Sequence, residues 1–377
     1  MTYARARLWL GISGVGCIVM LSLTALRLDL PNRFFHDSLI VPGLTIPLAF
    51  YILISFPLDL IGGHLLPRWH NRVTGTLASF LIAWLRGVLA QASLMGVCGL
   101  MILQTARHAG NFASIVAAGL LMLLLLFSQA LVARMVGGMR LVDHDFRPAF
   151  AALSRWKVRP PHLQAYTSDD PGFVGGLVGW PGHERLIIPS AWLTKLTPQV
   201  VAVQIIRRTG VIATGGRLRG VALALLWNLS GFALSAWLSG WNLGDIAGLL
   251  TSALWFTIWS FGGLLLLPSF SRPAVFESDQ FALDRGVSLA LIAETIQVLD
   301  QLQDNEPARA LWIERIFHPV PSVSSRMRYL QFESTPHGAW QGARTALYLS
   351  WACFGFLSRA VHCNSGRPEL WVLFPGD

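Results

Sequence analysis

Residues 197–216, TPQVVAVQIIRRTGVIATGG, form the stretch on which the interpretation of the whole chain depends. Thr197 belongs to a residue type that caps helices, and Pro198 suits a first helical turn, so a helix is predicted to begin here. The body of this helix is apolar, yet the adjacent Arg207 and Arg208 interrupt it. Such a charged pair is expected either to meet lipid headgroups or to pair with acidic residues from elsewhere in the chain.

The composition of the chain is that of a membrane protein. Of its 377 residues, 53% are hydrophobic and 13% are charged, whereas soluble domains carry roughly 25% charged residues. The mean hydropathy is +0.52. Six apolar runs are long enough to cross a bilayer core of about 30 Å: 8–26, 38–58, 87–106, 112–133, 220–244 and 246–271. A further run at 346–361 is short and contains Arg359, so it is predicted either as a seventh crossing or as an interfacial or re-entrant helix.

The net charge of +9 is spread over the loops rather than concentrated in one tract. This distribution favours a role in membrane topology and contact with anionic lipid over nucleic-acid binding, and no nucleic-acid partner is expected. Positive residues precede the first predicted span, separate the second from the third and follow the fourth. We therefore expect an integral protein of a bacterial inner membrane, with both termini and the polar segments in the cytoplasm.

Two polar segments lie between or after the predicted spans, and function is expected there. The first contains two predicted strands, 163–170 and 185–192, joined by a glycine- and proline-rich connection that is predicted to be a flexible turn. The fold class expected is a mainly α, polytopic membrane protein with a small α+β cytoplasmic domain. Its predicted regions are 1–137 with four spans, 138–219 with the interrupted helix, 220–271 with a two-span hairpin, 272–340 with the rest of the cytoplasmic domain, and 341–377 with the last apolar run.

The order of these pieces resembles the membrane-embedded zinc metallopeptidases of the HtpX and CAAX prenyl protease group, over roughly residues 140–335. ERLIIPSAWLTKLTPQVVAVQIIRRTG, residues 184–210, is similar to the approach to that group's HExxH helix. VFESDQFALDRG, residues 275–286, resembles its ExxAD helix, and HPVPSVSSRMRYL, residues 318–330, resembles its HP turn. The resemblance implies a metallopeptidase-like domain and, for an active member, a zinc cofactor.

Zinc chemistry in that group requires two histidines at i and i+4, a distant carboxylate ligand and a glutamate that activates water. Aligned on the flanking proline and glycine, this chain has Arg207 at the first histidine, Arg208 at the general base and Val211 at the second histidine. Aligned on Asp279, it has Val275 at the glutamate ligand. A guanidinium group neither ligates zinc nor accepts a proton from water. No catalytic residue, metal ligand or cofactor is therefore predicted.

Two interpretations of the function follow from the replacement of the zinc ligands and the general base. The preferred one is a pseudopeptidase that binds or scaffolds a peptide, a lipidated protein or another membrane partner. The alternative is an active membrane metalloendopeptidase, or another hydrolase, with non-standard residues, for which the histidines His144, His162 and His183 are the candidates. The question of whether the protein is an enzyme stays open at this point.

The surviving acidic residues suggest a use for the two arginines. We hypothesise that Arg207 or Arg208 pairs with Asp279 or Glu277, so that a guanidinium takes the place of the metal's positive charge between two helices. The alternative is that both arginines face headgroups. In the HP-like turn, Arg326 follows His318 by eight residues, where the group's usual gap is nearer six, so these residues are interpreted as signs of ancestry rather than of activity.

Asp59 and Arg86 are the ionisable residues that border predicted spans. The favoured interpretation places both at the cytoplasmic boundary of the membrane, and the alternative gives them a water-filled interior or a transport path.

Overall fold

The computed structural model describes residues 1–36, 38–72, 75–303, 305–331 and 337–373. Helices dominate the described chain. In order, they are α1 Tyr3–Arg27, α2 Leu30–Phe35, α3 Ile40–Leu60, α4 Leu66–Trp69, α5 Leu77–Phe127, α6 Gln129–Gly137, α7 Arg147–Leu153, α8 Ser190–Lys195, α9 Pro198–Ala213, α10 Gly216–Leu238, α11 Ile246–Asp284, α12 Leu289–Gln303, α13 Leu311–Phe317, α14 Val323–Tyr329 and α15 Gly342–Leu349. The strands are β1 Arg140–Val142, β2 His162–Thr167, β3 Gly176–Val178 and β4 Arg185–Pro189.

Five of the described helical segments are long and apolar enough to cross a membrane: α1, Ile40–Trp69 (α3 with its continuation through α4), α5, α10 and α11. The chain is accordingly an integral membrane protein. The third and fourth predicted spans, 87–106 and 112–133, fall largely within the single 51-residue helix α5.

Helix α5 is in fact a hairpin of two helical arms. Gly110 has φ 84° and ψ 169°, a backbone conformation that is essentially restricted to glycine. The hydroxyl of Ser114 donates to the carbonyl of Ile102 at 3.2 Å, although twelve residues span about 18 Å along a straight helix. The chain therefore reverses at Gly110 and the arms pack side by side, which explains why two spans were predicted from the sequence.

The turn of this hairpin lies at the end of the molecule opposite the sheet. The side-chain amide of Asn111 donates to the carbonyl of Trp241 at 2.5 Å, and Arg107 Nε donates to the carbonyl of Gly244 at 2.7 Å. The 107–111 turn and the loop between α10 and α11 are thus joined.

The four strands form one mixed sheet in the order β1-β2-β4-β3. Strand β2 is parallel to β4, whereas β1 and β3 are antiparallel to their neighbours. The prediction of a flexible turn between the two expected strands is wrong, because the connection contains β3. Leu177 and Val178 of β3 are buried, so apolar packing and pairing with β4 order a segment whose many glycines suggested a turn.

Helix α11 links the membrane region to the domain that contains the sheet. Its 39 residues correspond to about 58 Å of helix, and it continues through Pro268 and Pro273. The boundaries predicted at 271/272 and 219/220 therefore fall inside α11 and α10. Helix α9 packs closely on α11, since a Cβ at Gly210 would lie 2.6 Å from the ring of Phe281.

Residues 342–373 form a buried segment that we call the C-terminal plug. All of its residues are buried except the half-buried Val361 and His362, and it contacts several membrane helices. Tyr348 donates to the carbonyl of Leu125 in α5, and Asn228 of α10 donates to the carbonyl of Ala346. The seventh crossing predicted for 346–361 is wrong, because α15 has eight residues, far short of the roughly 20 needed to span. The interfacial helix is also wrong, because the segment lies in the protein interior. The plug enters between the membrane helices and returns to the sheet domain at Arg367, as the re-entrant alternative predicts.

Asp59 lies in the protein interior and contacts the plug. It is 1% exposed, its carboxylate accepts hydrogen bonds from the indole of Trp84 at 2.9 Å and the backbone amide of Gly366 at 2.8 Å, and Arg359 Nη2 lies 3.5 Å away. The charge in the last apolar run thus has its partner in α3.

Candidate functional site

Helix α9 carries the substituted positions and is buried on every side. Its N-cap is Thr197, whose hydroxyl accepts from the amide of Val200 at 3.4 Å, and Pro198 occupies the first turn. Its apolar residues pack against the sheet and the surrounding helices. Arg207 and Arg208 are each 1% exposed. The alternative that both arginines face lipid headgroups is therefore wrong, and both charges need partners inside the protein.

Arg207 contacts the surviving aspartate of the ExxAD-like helix. Its Nε donates to Asp279 Oδ1 at 2.6 Å, and its Nη1 donates to Gln204 Oε1 at 2.6 Å. Arg326 of α14 contacts the same carboxylate through Nη2 to Oδ1 at 2.6 Å and Nε to Oδ2 at 2.7 Å. Asp279 is 0% exposed. We call Arg207, Asp279 and Arg326 the arginine–aspartate cluster; it joins α9, α11 and α14.

Arg208 has a different role from its neighbour. Its guanidinium donates to the carbonyls of Val174 at 2.6 Å and Ile187 at 3.3 Å and lies over the ring of Trp192, 5.5 Å from the centroid. The two arginines diverge because successive residues of a helix point about 100° apart. Arg208 therefore binds the chain around β3 and β4, on the sheet side of α9.

Glu277 has other partners than the predicted arginines. Its carboxylate accepts from Arg219 Nη2 at 2.7 Å and lies 2.9 Å from His337 Nδ1. Two residues along a helix differ by about 200° in direction, so Glu277 and Asp279 face nearly opposite sides of α11. Of the pairs that the hypothesis allowed, the structure has Arg207 with Asp279, whereas Glu277 contacts Arg219 and His337 and Arg208 donates to backbone carbonyls.

The remaining positions of the degenerate site are apolar and buried. Val211 and Val275, at the second histidine and the glutamate ligand, are each 2% exposed. Within the described ranges, no group of three or more His, Cys, Asp and Glu side chains is arranged to hold a metal ion. The side chains at the family's three ligand positions, Arg207, Val211 and Val275, have no electron pair to offer zinc, and Arg208 stands at the position of the general base. They do not fit the cofactor that the resemblance implies.

A second buried ion pair, which the sequence patterns do not predict, joins the sheet domain to the plug. Arg367 Nε donates to Asp170 Oδ2 at 2.5 Å, and its Nη2 contacts Oδ1. Burial alone would raise the pKa of Asp170, but the charge and hydrogen bonds of Arg367 outweigh it and hold that pKa below its usual value. The signal available in the sequence was the presence of arginines, Arg359 and Arg367, in an otherwise apolar C-terminal stretch.

Arg326 was also underestimated from sequence. It was interpreted as a sign of ancestry because its spacing from His318 departs from the group, yet it is 3% exposed and makes both of its Asp279 contacts from α14. His318 is 6% exposed, and its ring lies 4.9 Å from that of His362 in the plug.

The fold defines a class: a polytopic helical membrane protein that carries a small domain with a mixed sheet. The crystal structure of S. mikatae Ste24p is similar to this chain, with a TM-score of 0.63 and 12% sequence identity over 84% of this chain and 80% of that one. Ste24p is a zinc metalloprotease of the CAAX protease type, so the fold agrees coarsely with the resemblance found in the sequence. No protein-family model and no curated protein matches the sequence.

Proposed function

We propose that this protein is a pseudopeptidase: a membrane metallopeptidase-like protein that has replaced its catalytic centre by a structural one and that binds or scaffolds a membrane partner. The observation that carries the proposal is the arginine–aspartate cluster. Arg207, at the first histidine position, donates to Asp279 at 2.6 Å, and Arg326 completes the contacts of that carboxylate. Two permanent cations around one carboxylate tie the helices together without a metal.

Burial supports the same proposal. Arg207, Arg208, Val211, Val275 and Asp279 are all 2% exposed or less, so a substrate bond has no access to them in this arrangement. A catalytic group must reach the reacting atoms of its substrate within hydrogen-bond distance. The former catalytic positions instead serve packing and internal pairing.

The class of partner follows from the surfaces that stay open. The plug fills the space between the membrane helices, which disfavours a lipidated tail there while the plug is in place. Strand β1, by contrast, is an edge strand with Arg140 and Leu141 exposed. An extended peptide can add to such an edge through main-chain hydrogen bonds. A peptide segment of a membrane or lipidated protein is therefore the favoured partner.

Metal analysis and cleavage assays on the purified full-length protein test the proposal. We expect substoichiometric zinc by mass spectrometry and no cleavage of unmodified or prenylated peptides, with or without added zinc. Stoichiometric zinc together with cleavage, both lost in His144→Ala, His162→Ala or His183→Ala, would establish the alternative of an active metalloendopeptidase. His108→Ala, at an exposed histidine in the hairpin turn of α5, is the matched control.

We also propose that the domain containing the sheet faces the cytoplasm of a bacterial cell, as the charge pattern favours. Two exposed or half-exposed positions at opposite ends of the molecule provide the test. In a variant lacking native cysteines, His108→Cys should react with a membrane-impermeant maleimide in intact spheroplasts, and His144→Cys only after permeabilisation. The reverse pattern would place the domain outside.

A further inference from the structure

A small cavity lies where the start of α1, helix α12, the chain around α13 and α14, and the C-terminal plug meet. It has a volume of about 50 Å³, several times the roughly 10–15 Å³ that one water requires. Of the described side chains that line it, five are those of arginines and one, that of Asp300, is acidic. The five arginines are Arg7, Arg309, Arg326, Arg344 and Arg367.

These arginines come from separate parts of the chain and are all buried. Arg7 and Arg326 are 3% exposed, Arg344 8% and Arg367 9%, and the side chain of Arg309 is 6% exposed. Guanidinium groups keep their charge at any physiological pH. The five positive charges around one small space are therefore permanent. Carboxylates contact three of the arginines, and the predominance of basic side chains in the lining favours a ligand that carries negative charge.

Carboxylates of the protein hold some of these arginines in place. Arg326 is held by Asp279 and Arg367 by Asp170, whereas Arg309 lies 3.3 Å from Glu306 and 4.0 Å from Asp300. Such contacts fix the direction of planar donor groups that point at a common space. Pre-positioned forks of N–H donors match the oxygen geometry of phosphate.

Two imidazole rings extend the donor set. His318 and His362 both line the cavity, with their ring centroids 4.9 Å apart. Either ring donates a hydrogen bond when neutral and two when protonated. The lining thus combines permanent cations with adaptable donors around a space that suits one tetrahedral oxyanion.

A larger cavity of about 530 Å³ adjoins the small one, and Gly172, Gln303 and Arg367 line both. Its walls include the acidic residues Asp169, Asp170 and Glu369. The same walls contain Arg72 and Arg367, and Arg367 pairs with Asp170. The larger cavity is therefore mixed in charge, whereas basic side chains predominate in the small one. This difference favours a phosphate group in the small cavity and leaves the larger space for the remainder of the same molecule.

We propose that the small cavity, hereafter the cationic cavity, is a binding site for a phosphate group, either free phosphate or the phosphomonoester end of a larger molecule. The bound group would connect α1, the chain of α13 and α14, and the C-terminal plug, because each of these contributes an arginine. The ligand could come from the aqueous phase or from the headgroup of a phosphomonoester lipid. The site does not depend on whether the protein is a peptidase.

The test uses the full-length protein in a neutral, phosphate-free detergent. Inorganic phosphate is titrated at constant ionic strength in a thermal-shift assay, phosphatidic acid is added in parallel micelles with phosphatidylcholine as the neutral control, and native mass spectrometry counts bound ligand. We expect a saturable stabilisation with one ligand per chain. Stabilisation by inorganic phosphate indicates a soluble source, whereas stabilisation by phosphatidic acid alone indicates a lipid.

Variants of the arginines separate this site from general charge effects. Arg7→Gln and Arg344→Gln should each weaken binding at least tenfold, and Arg344→Lys, which keeps the charge but loses the planar fork, should weaken it by less. Arg33→Gln removes an exposed charge at the opposite end of the molecule and should leave binding unchanged. If neither ligand binds the wild-type protein, or if the affinity is the same in all of these variants, the proposal is wrong. Should Arg344→Gln fail to fold, Arg344→Lys and Arg7→Gln still decide it.

Discussion

Asp279 accepts hydrogen bonds from two buried guanidinium groups, so its carboxylate matters more than either arginine alone. In Asp279→Ala, Arg207 and Arg326 both lose this carboxylate, and breaking a buried pair in this way costs about 3–5 kcal/mol. In Arg207→Ala, Asp279 keeps the two-bond contact with Arg326. We therefore expect the loss of thermal stability in detergent to be larger for Asp279→Ala than for Arg207→Ala.

Tryptophan fluorescence during heating measures that order of stability. Asp145→Ala, which removes an aspartate whose side chain is 47% exposed, serves as the control and should change the melting temperature little. Wild-type stability in both Arg207→Ala and Asp279→Ala would mean that the cluster is not a structural tie.

The sequence predicted part of this cluster for a clear reason. Arg207 and Asp279 were identifiable because they occupy marked positions of two similar motifs, whereas the choice of Arg207 over Arg208 depends on the rotation of α9 against α11. Arg326 could not be assigned, since the position of α14 is set by packing between segments far apart in sequence. Local sequence patterns identify Arg207 and Asp279 as site residues, but they do not identify Arg326 as the third member of the cluster.

Glu369 provides a pH-dependent prediction at the same scale. Burial and the nearby charge of Asp170 raise the pKa of Glu369 to about 7, against the opposing effect of Arg86 and Arg367. The folded protein therefore holds this proton to a higher pH than the unfolded chain, whose glutamates titrate near 4.3. Below about pH 4.3, Glu369 is protonated in both the folded and the unfolded state, so its contribution to the free energy of unfolding does not change with pH. This contribution becomes steadily less favourable as the pH rises through about 7.

Glu369→Gln removes this penalty. We expect the variant to gain stability relative to wild type between pH 5 and pH 8, by up to about 3 kcal/mol, as followed by melting temperatures at both pH values. Asp170, whose pKa is lowered, stays ionised throughout this window. Parallel pH curves for the two proteins would contradict the assignment.

Among the elements, α5 depends on one glycine. At Gly110, φ 84° and ψ 169° place any other residue in a conformation that costs on the order of 1–3 kcal/mol. No neighbouring atom lies near a Cβ built there, so the expected destabilisation of Gly110→Ala comes from the backbone alone. Gly16→Ala is the matched control: its Cβ also meets open space, but it lies inside α1, where alanine is favoured by up to about 1 kcal/mol.

Melting temperatures of the two variants in detergent should therefore move in opposite directions. Equal effects would show that α5 does not require the reversal at Gly110.

The hydropathy pattern predicts the membrane helices, whereas the glycine-rich connection gives no sign of strand β3. The long apolar runs correspond to α1, α3, α5, α10 and α11, because burying them in lipid follows from composition alone. Strand β3 was missed since three residues between glycines carry no local strand pattern, and its order comes from pairing with β4. The continuity of α11 through Pro268 and Pro273 was likewise set by packing against α9 and α10.

On the scale of the whole molecule, the feature that local patterns leave undecided is the C-terminal plug. Its apolar composition is compatible with a membrane span, an interfacial helix or an interior segment, and these differ only in what surrounds the chain. The decisive contacts are long-range: Asp59 of α3 meets Arg359 and Gly366, some 300 residues later. Because the plug occupies the interior of the membrane region, any partner that enters there must first displace it.

The pair of Asp59 and Arg359 should hold the plug in place. In Asp59→Ala, the buried Arg359, which is 1% exposed, loses this carboxylate. The arrangement with the plug in place therefore becomes less favourable, and the plug opens more often.

Native cysteines report this opening: Cys353 and Cys363 lie in the plug and are buried, whereas Cys17 is exposed. We expect a small, membrane-permeant maleimide to label Cys17 at the same rate in both proteins. The two plug cysteines should be labelled at least tenfold faster in Asp59→Ala, since each 1.4 kcal/mol is a factor of ten. Asp145→Ala should leave all three rates unchanged, and equal plug labelling in wild type and Asp59→Ala, at matched melting temperature, would mean that the plug is held by apolar packing alone.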